Sequence, residues 1–463
     1  MSRVLLIGTG PLPEDGPREL GFPQLRARQF LRPLLGAGHD VMLATLTRRD
    51  LLSDRDRPAV SEPASRSLNV AGTAYSFDFA PVLPDEPGRF LRLRDLRREF
   101  SPDVVVTAGP FLPMAAGARA AGDEPLWVDV PGDPMCEAQA KALRSGSTDP
   151  IHRYRQMLGQ ALARGDRFSV ISRTQRGSLI GALGLAGRLT GDAVGDELVH
   201  VVPGSVEGLP DPSDAPLPDA FPDLPDDALT VLFCGGYNNW LDGETLLDGL
   251  IQAMDKEPRI HFVSTGGALP GHDESTYHRV RTGAAASPHA ARFHFLGWVP
   301  LETLPAVFDR AWLSLSVDRP CYEAEFGART RILESLERGV PVCSTDLCDL
   351  THELATDGLI HTVPTGDADA VASVLVDLAA GRTTLLPQDG WTHLRKRYGL
   401  MATTKPLLDW VDAPQRAPGG VPVDFLEDSW QELARLQDRL EEVWNSPTWR
   451  TLGRVHQFLK RLR

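Results

Sequence analysis

The sequence predicts an α/β protein with two doubly wound parallel-sheet domains in tandem. Three observations predict this class: short continuous apolar runs, helical patterns between them, and a break in composition near mid-chain. Continuous apolar runs separated by helices are typical of parallel strands that are covered on both faces. In the first half, the predicted strands are Val4–Ile7, Val41–Leu46, Val104–Thr107, Leu126–Val130, Phe168–Ile171 and Leu198–Val202, with a helix around Gln24–Leu35.

The break in composition predicts the domain boundaries. The chain is dense in Pro and Asp between Pro203 and Asp227, which is typical of a linker. We expect a first domain over 1–206, a linker over 207–227, a second domain over 228–412 and a helical tail over 413–463. Since ligands bind outside the carboxyl ends of parallel strands, two such domains predict a cleft between them. The second set of predicted strands is Leu229–Cys234, Ile260–Ser264, Phe293–Leu296, Trp312–Val317, Val340–Cys343 and Leu359–Val363.

Composition excludes several classes of protein. The formal net charge is −14, which argues against a nucleic-acid partner bound through a broad basic surface. The five cysteines are few and scattered, so we expect no disulfide framework and a cytoplasmic location. The apolar run at the N-terminus is too short for a signal peptide, and no run reaches the ~20 apolar residues of a membrane span.

The stretch from Asp318 to Ser344 carries the clearest chemical signal. Gly327 comes just before a predicted helix, where glycine allows a ligand to approach the backbone and free N–H groups favour an anion. Arg329 and Arg331 occupy the first turn of that helix, although the helix dipole favours acids there. The two arginines therefore predict a phosphate site. The alternative is that they form structural ion pairs with nearby glutamates.

Glu334 lies one turn further along the same predicted helix, on the face that it shares with Arg331. A carboxylate in that place can accept two hydrogen bonds from a ribose diol. The alternative is an ordinary solvated helix residue.

Leu333–Val342 resembles the carboxyl-domain signature of family 4 glycosyltransferases, which have the GT-B fold of two Rossmann-like domains facing a cleft. The resemblance implies that Glu334 binds the donor ribose, that Glu325 contacts the donor sugar, and that Phe326 lies in the donor site. The spacing departs from the family, since eight residues rather than seven separate the two glutamates. Glu323 is the next candidate for the sugar contact.

Three further segments resemble the same family in the same order: Val202–Val206, Cys234–Leu247 and Phe295–Pro300. Family members usually carry Arg and Lys in the loop after the first strand of the second domain, whereas this chain has Asp242 and small or neutral residues there. A departing diphosphate needs positive charge, so Arg329 and Arg331 are the predicted replacements. The donor contacts implied by the resemblance are Gly235, Gly236, Tyr237, Asn238, Trp298 and Val299.

In the first domain, the candidate cleft residues follow predicted strands. Gly8 and Gly10 end the first strand, where a glycine turn allows a sugar to approach the backbone. Asp133 and Glu137 follow the strand at Leu126–Val130, near the place where family members often have a histidine. The alternatives are a simple strand-ending turn for the glycines and helix capping for the acids.

No metal or other cofactor is expected. Asp54–Asp56 and Asp367–Asp369 have the Asp-x-Asp form of a metal site in another glycosyltransferase fold. The first pair lies in a charged loop and the second opens a predicted helix, where acids are common. Both pairs are therefore interpreted as structural.

The tail combines helical periodicity with positive charge. Apolar residues recur at helix spacing between Trp430 and Trp444, and 446–463 carries five Lys or Arg and no acid. Such a segment either packs on the domains or lies on an anionic membrane surface. Asn445–Arg450 is similar to a stretch in some bacterial surface-polysaccharide enzymes, which favours a lipid-linked acceptor at the inner face of the membrane.

Together these features predict a glycosyltransferase that moves a sugar from a nucleotide-diphosphate sugar to a saccharide or lipid-linked acceptor hydroxyl. The family resemblance implies retention of the anomeric configuration. The alternatives are a sugar-nucleotide epimerase of the same architecture and a non-catalytic saccharide- or partner-binding protein.

Overall fold

The fold is described from a computed structural model of the 463-residue chain. The described residues are 1–17, 19–47, 62–83, 88–206, 216–269, 273–383, 391–419, 435–443, Ser446 and Trp449.

The first domain is built on an eight-stranded sheet. Its strands are β1 (Arg3–Gly10), β2 (Asp40–Thr47), β3 (Ala64–Val70), β4 (Thr73–Val82), β5 (Val104–Ala108), β6 (Leu126–Asp129), β7 (Arg167–Val170) and β8 (Val199–Val201). The order across the sheet is β3-β4-β2-β1-β5-β6-β7-β8, and every neighbouring pair is parallel except β3 with β4. All six strands predicted for this half of the chain are present.

Helices cover both faces of this sheet, because the central strands are apolar on both sides. The helices are α1 (Phe22–Gly36), α2 (Arg89–Phe100), α3 (Leu112–Ala120), α4 (Pro134–Ser145), α5 (Asp149–Arg164) and α6 (Arg173–Leu185).

The antiparallel hairpin β3–β4 at the sheet edge was not predicted. Its strands alternate buried and exposed residues, with Leu68, Phe77 and Phe79 facing the core. Its turn is Ala71-Gly72, in which both residues have positive φ. A search for continuous apolar runs misses such half-exposed strands, and the alternation itself was the available signal.

The second domain is built on a six-stranded parallel sheet of order β11-β10-β9-β12-β13-β14. The strands are β9 (Leu229–Cys234), β10 (Ile260–Thr265), β11 (Phe293–Gly297), β12 (Leu313–Ser316), β13 (Val342–Thr345) and β14 (His361–Val363). The helices are α7 (Gly243–Lys256), α8 (Ser275–Ala286), α9 (Leu304–Asp309), α10 (Tyr322–Phe326), α11 (Thr330–Glu337), α12 (Asp349–Thr356) and α13 (Ala368–Ala379). The prediction of two doubly wound domains is confirmed.

The last two helices, α14 (Trp391–Tyr398) and α15 (Leu400–Asp412), return the chain to the first domain. Leu407, Trp410 and Val411 of α15 pack into the core of the first sheet. The sequence-based boundary at 412 had placed this helix with the second domain. The backbone N–H of Val206 donates to the carbonyl oxygen of Tyr398 at 2.8 Å, so the outgoing and returning segments lie side by side.

A helical segment at 435–443, here called the tail helix, packs on α2 and α3 through its polar face. Asp438 accepts hydrogen bonds from Arg94 at 3.1 Å and from Arg119. Its apolar residues Leu436, Leu440 and Val443 are instead 46%, 50% and 52% exposed. The rest of the predicted apolar stripe, Trp430, Leu433 and Trp444, lies outside the described residues, as does most of 446–463. Within the described part of the chain, no helix has the length and apolar character to cross a membrane.

A fully buried ion pair lies at the carboxyl end of β6. Both nitrogens of the Arg26 guanidinium fork reach the Asp129 carboxylate, at 2.7 and 2.9 Å, and both side chains are 0% exposed. Asp129 also accepts from the backbone N–H of Gly109 and from the hydroxyl of Ser169. Arg26 further donates to the carbonyl oxygen of Pro203, where the chain leaves the first domain. The network therefore joins α1, the central sheet and the interdomain connection.

Candidate active site

A cleft of about 560 Å³ lies between the two domains, at the carboxyl ends of both sheets. This is the place where parallel sheets bind ligands. Loops after β1, β5 and β6 form one wall, and loops after β9 and β10 form the other, together with the start of α11.

The cleft brings together ten of the sixteen residues proposed from the sequence. They are Glu137, Gly235, Gly236, Asn238, Trp298, Val299, Gly327, Arg329, Arg331 and Glu334. Gly8, Gly10, Asp133, Tyr237, Glu325 and Phe326 are not part of its lining.

Gly8 and Gly10 serve the packing of the first domain. A Cβ on Gly8 would lie 2.7 Å from the Cβ of Ala27 on α1, and a Cβ on Gly10 would lie 2.8 Å from the hydroxyl of Thr47. The two glycines therefore allow close contact of β1 with its neighbours, which is the packing alternative, and their contact with a sugar stays a prediction.

Asp133 and Tyr237 also have internal partners. Asp133 caps α4, because its carboxylate accepts from the backbone N–H groups of Met135 and Cys136 at 2.9 and 3.1 Å. This is the capping alternative left open by the sequence. Tyr237 is 0% exposed, and its hydroxyl lies 2.7 Å from that of Ser264 within the second core.

The floor of the cleft is made by two strand ends that touch. Gly235 and Gly266 both have positive φ, at 111° and 86°. A Cβ on Gly266 would lie 2.2 Å from the carbonyl oxygen of Gly235, so only glycine fits. Asn238 donates to the carbonyl oxygen of Gly236 at 3.4 Å. The result is a backbone surface that a ligand can approach closely.

Arg331 holds a positive charge against this floor. Its Nη2 donates to the carbonyl oxygen of Gly236 at 3.2 Å, and its guanidinium lies 4.6 Å from the ring centre of Phe233. Burial lowers the pKa of Arg331, opposed by the carboxylate of Asp318, but a guanidinium stays charged in proteins.

Glu334 faces the same space from one turn further along α11. Burial raises the pKa of its carboxyl to about 7, and the neighbouring charge of Arg331 opposes that rise. The side chain is thus poised to ionise near neutral pH.

Arg329 has a partner that the sequence analysis did not consider. It forms an ion pair with Asp318, and both side chains are almost fully buried. Its guanidinium also lies 5.3 Å from the ring centre of Trp240. The phosphate contact predicted for Arg329 therefore competes with a structural ion pair, although its Nη2 has no hydrogen-bond partner among the described residues.

Glu323, rather than Glu325, is the glutamate of this segment that lines the cleft. It is 6% exposed, and its Oε2 has no hydrogen-bond partner among the residues described. Burial raises its pKa well above the usual value, and the nearby carboxyl of Glu137 adds to the rise. The unusual family spacing was the signal that an alternative to Glu325 was needed.

Lys141 was missed by the sequence analysis. Its Nζ lies 3.4 Å from the carboxylate of Glu137 and 2.5 Å from the hydroxyl of Tyr154, whose ring stacks on Phe111 at 4.3 Å. Burial raises the pKa of Glu137 to about 7, and the charge of Lys141 opposes the rise. The i,i+4 spacing of Glu137 and Lys141 was a usable signal.

In the described part of the chain, no group of three or more His, Cys, Asp or Glu side chains is arranged to hold a metal ion. Metal independence of the reaction stays a prediction.

Two family models match the chain. The model described as "Glycosyl transferase 4-like domain" matches residues 23–190, and the model described as "Glycosyl transferases group 1" matches residues 228–380. The two matches fall on the two domains that form the cleft. The chain is a glycosyltransferase of the GT-B type, and it belongs with the group 1 and family 4-like enzymes. No curated protein matches it by sequence.

Solved structures share its fold at low sequence identity. Anabaena HepE in complex with UDP and glucose is 13% identical with a TM-score of 0.59, and the match covers 89% of this chain and 100% of HepE. Sucrose-phosphate synthase from Thermosynechococcus elongatus is 16% identical with a TM-score of 0.59, covering 95% of this chain and 100% of that one. Trehalose-6-phosphate synthase, in a study of glycosyltransfer with retention, is 10% identical with a TM-score of 0.58. The match covers 90% of this chain and 100% of the synthase.

Proposed function

We propose that the protein transfers a sugar from a nucleotide-diphosphate sugar to an acceptor hydroxyl, with retention and without an essential metal ion. The observation that carries the proposal is the meeting of Glu334, Arg331 and the Gly235–Gly236 backbone in one interdomain cleft. Two structural neighbours support it, since one is described with UDP and glucose and the other with retention.

The nucleotide binds against the second domain in this proposal. The Glu334 carboxylate accepts hydrogen bonds from both ribose hydroxyls, and the backbone beside Trp298 and Val299 contacts the base. The diphosphate lies on the glycine floor, where Arg331 supplies positive charge as the leaving group departs.

The sugar binds between Glu323 and Arg329. Each has one buried polar atom without a described partner, and these are an acceptor oxygen on Glu323 and a donor nitrogen on Arg329. A sugar hydroxyl both donates and accepts, so one hydroxyl satisfies both atoms. Gly327 leaves room, because a Cβ there would lie 2.7 Å from Arg329 Nη1. On the facing wall, Glu137 and Lys141 supply polar contacts for the acceptor.

We expect Glu323→Ala to reduce sugar transfer at least about tenfold, because the buried hydrogen bond between this carboxyl and the sugar is lost. Glu325→Ala, the matched control outside the cleft lining, should change the rate less than about threefold. The measurement is nucleotide release from UDP-, GDP-, dTDP- and ADP-sugars, with and without a panel of saccharide acceptors, after thermal unfolding with each nucleotide has identified the base. Equal losses in the two variants would contradict the Glu323 assignment. Formation of an epimeric sugar without any acceptor, detected by chromatography of the products, would instead indicate an epimerase.

We further propose that the acceptor is lipid-linked and that the tail contacts an anionic membrane, as in surface-polysaccharide synthesis. The tail helix turns Leu436, Leu440 and Val443 to solvent, and these residues share one helical face. The basic stretch 446–463 follows directly in the sequence. An apolar face beside basic residues suits the surface of an anionic bilayer.

The triple variant Leu436→Ser, Leu440→Ser and Val443→Ser should bind about tenfold more weakly to vesicles of phosphatidylglycerol and phosphatidylcholine. The reason is that three apolar side chains no longer enter the bilayer surface. Leu185→Ser is the control, since that leucine is 75% exposed elsewhere on the first domain. Vesicle flotation measures both variants. Equal flotation of wild type with pure phosphatidylcholine and with the anionic mixture would contradict the proposal.

A further inference from the structure

Residues at the start of α6 in the first domain contact the second domain at three places, one of which is an ion pair of Arg173 with Glu353 at 3.3 Å. The hydroxyl of Ser172 donates to the carbonyl oxygen of Phe326 at 2.5 Å. Thr174 donates to the carboxylate of Asp349 twice, from its backbone N–H at 2.8 Å and from its hydroxyl at 2.7 Å. Four described residues thus form a small interdomain contact, which we call the clasp: Ser172, Thr174, Phe326 and Asp349.

Two helix dipoles stabilise the Asp349 carboxylate in the clasp. Asp349 is the first residue of α12, and it accepts from the first turn of α6, so its carboxylate lies between the N-termini of two helices. Each N-terminus carries partial positive charge that favours an anion. Ser172 has a double role, since its oxygen also accepts from the N–H of Gln175 and so caps α6.

The clasp acts on the segment that precedes the sugar-binding residues. Phe326 is followed directly by Gly327, and Gly327 and Arg329 both line the cleft. The N–H of Gly327 is in turn held by the carbonyl oxygen of Glu323 at 3.0 Å. A hydrogen bond to the Phe326 carbonyl therefore fixes the backbone between Glu323 and Arg329 from the opposite domain.

We propose that Ser172 and Asp349 are positioning residues: the first domain, through the clasp, sets the conformation of the 322–331 segment that receives the donor sugar. The role in catalysis rests on the proposed function, whereas the clasp and its effect on the segment do not. Closing the cleft then shapes the donor site, in addition to excluding water from it.

Hydrogen exchange of the peptide 322–331 in the full-length protein tests this directly. Ser172→Gly has no hydroxyl to donate to Phe326, and glycine is tolerated at a helix N-cap, so the variant should fold. We expect exchange in this peptide to become at least about fivefold faster in Ser172→Gly and in Asp349→Ala, because each variant loses its own hydrogen bonds of the clasp. Ser172→Thr retains the hydroxyl, so its peptide 322–331 should exchange at the wild-type rate.

Ser178→Ala is the matched control, because it removes a hydrogen bond from α6 to Asp133 within the first domain. Unchanged exchange in both clasp variants, or equal acceleration in Ser178→Ala, would overturn the proposal. The same variants should weaken stabilisation of the protein by UDP, or by whichever nucleotide binds. If no nucleotide stabilises the wild type, the proposed function fails, while the exchange rates still judge the clasp.

Discussion

Glu334→Gln is expected to raise the melting temperature of the ligand-free protein while weakening nucleotide binding. Its folded pKa of about 7 stands above the ordinary value of 4.5. The free energy of unfolding therefore falls as the pH rises from 4.5 to 7 and Glu334 ionises, and the full decrease is reached by pH 8. Removing the charge should stabilise the protein at pH 8 by about 1–3 kcal/mol, since one pKa unit corresponds to about 1.4 kcal/mol. At pH 4 the carboxyl is largely protonated in both states, so the difference should vanish.

Nucleotide affinity should move in the opposite direction. The neutral amide lacks the charge that strengthens hydrogen bonds to the ribose, so the dissociation constant should rise at least about tenfold at pH 8. The wild-type affinity should fall about tenfold per pH unit below pH 7, as the ionised fraction falls, and the variant should lack this dependence. Calorimetry at several pH values measures both, with Glu325→Gln as the control. Wild-type affinity in Glu334→Gln would refute the ribose contact.

Arg26→Met should be the most destabilising single change discussed here, at about 3–5 kcal/mol. It leaves the Asp129 carboxylate buried, 0% exposed, with no opposite charge. Arg3→Met is the matched control, because its ion pair with Asp40 is 47% and 44% exposed and should contribute less than about 1 kcal/mol.

Urea unfolding followed by tryptophan fluorescence measures these effects, since Trp127 lies in the same core as α1. Adding Asp129→Asn to Arg26→Met should recover part of the loss, because the unpaired charge disappears. A double variant less stable than Arg26→Met would mean that Asp129 contributes mainly through its bonds to Gly109 and Ser169.

The parallel strands could be predicted because burial on both faces makes their residues uniformly apolar. The β3–β4 hairpin could not, since one of its faces is exposed and its apolar residues alternate. The placement of α15 was also beyond the sequence: its apolar stripe requires a covering partner, but the stripe does not say which domain supplies it.

A place in the cleft could be predicted where a residue type has few structural uses. Arg331 in a first helical turn and the glycines after β9 line the cleft, and their roles there stay predictions. Placement could not be predicted where one residue type serves two purposes. Gly8 allows helix packing as readily as ligand approach, and the choice between Glu323 and Glu325 depends on the side of a short helix, α10, that faces the cleft. Those outcomes depend on three-dimensional contacts that local spacing does not encode.

The return of α15 to the first domain has a consequence for engineering. The segment that leaves the first domain and the segment that returns to it lie side by side at Val206 and Tyr398. The two domains are therefore joined by two connections. Neither domain can be isolated by one cut, because residues 1–206 alone would leave the surface under Leu407 and Trp410 uncovered. A chimaera that exchanges donor specificity with a relative therefore needs two splice points, one in each connection.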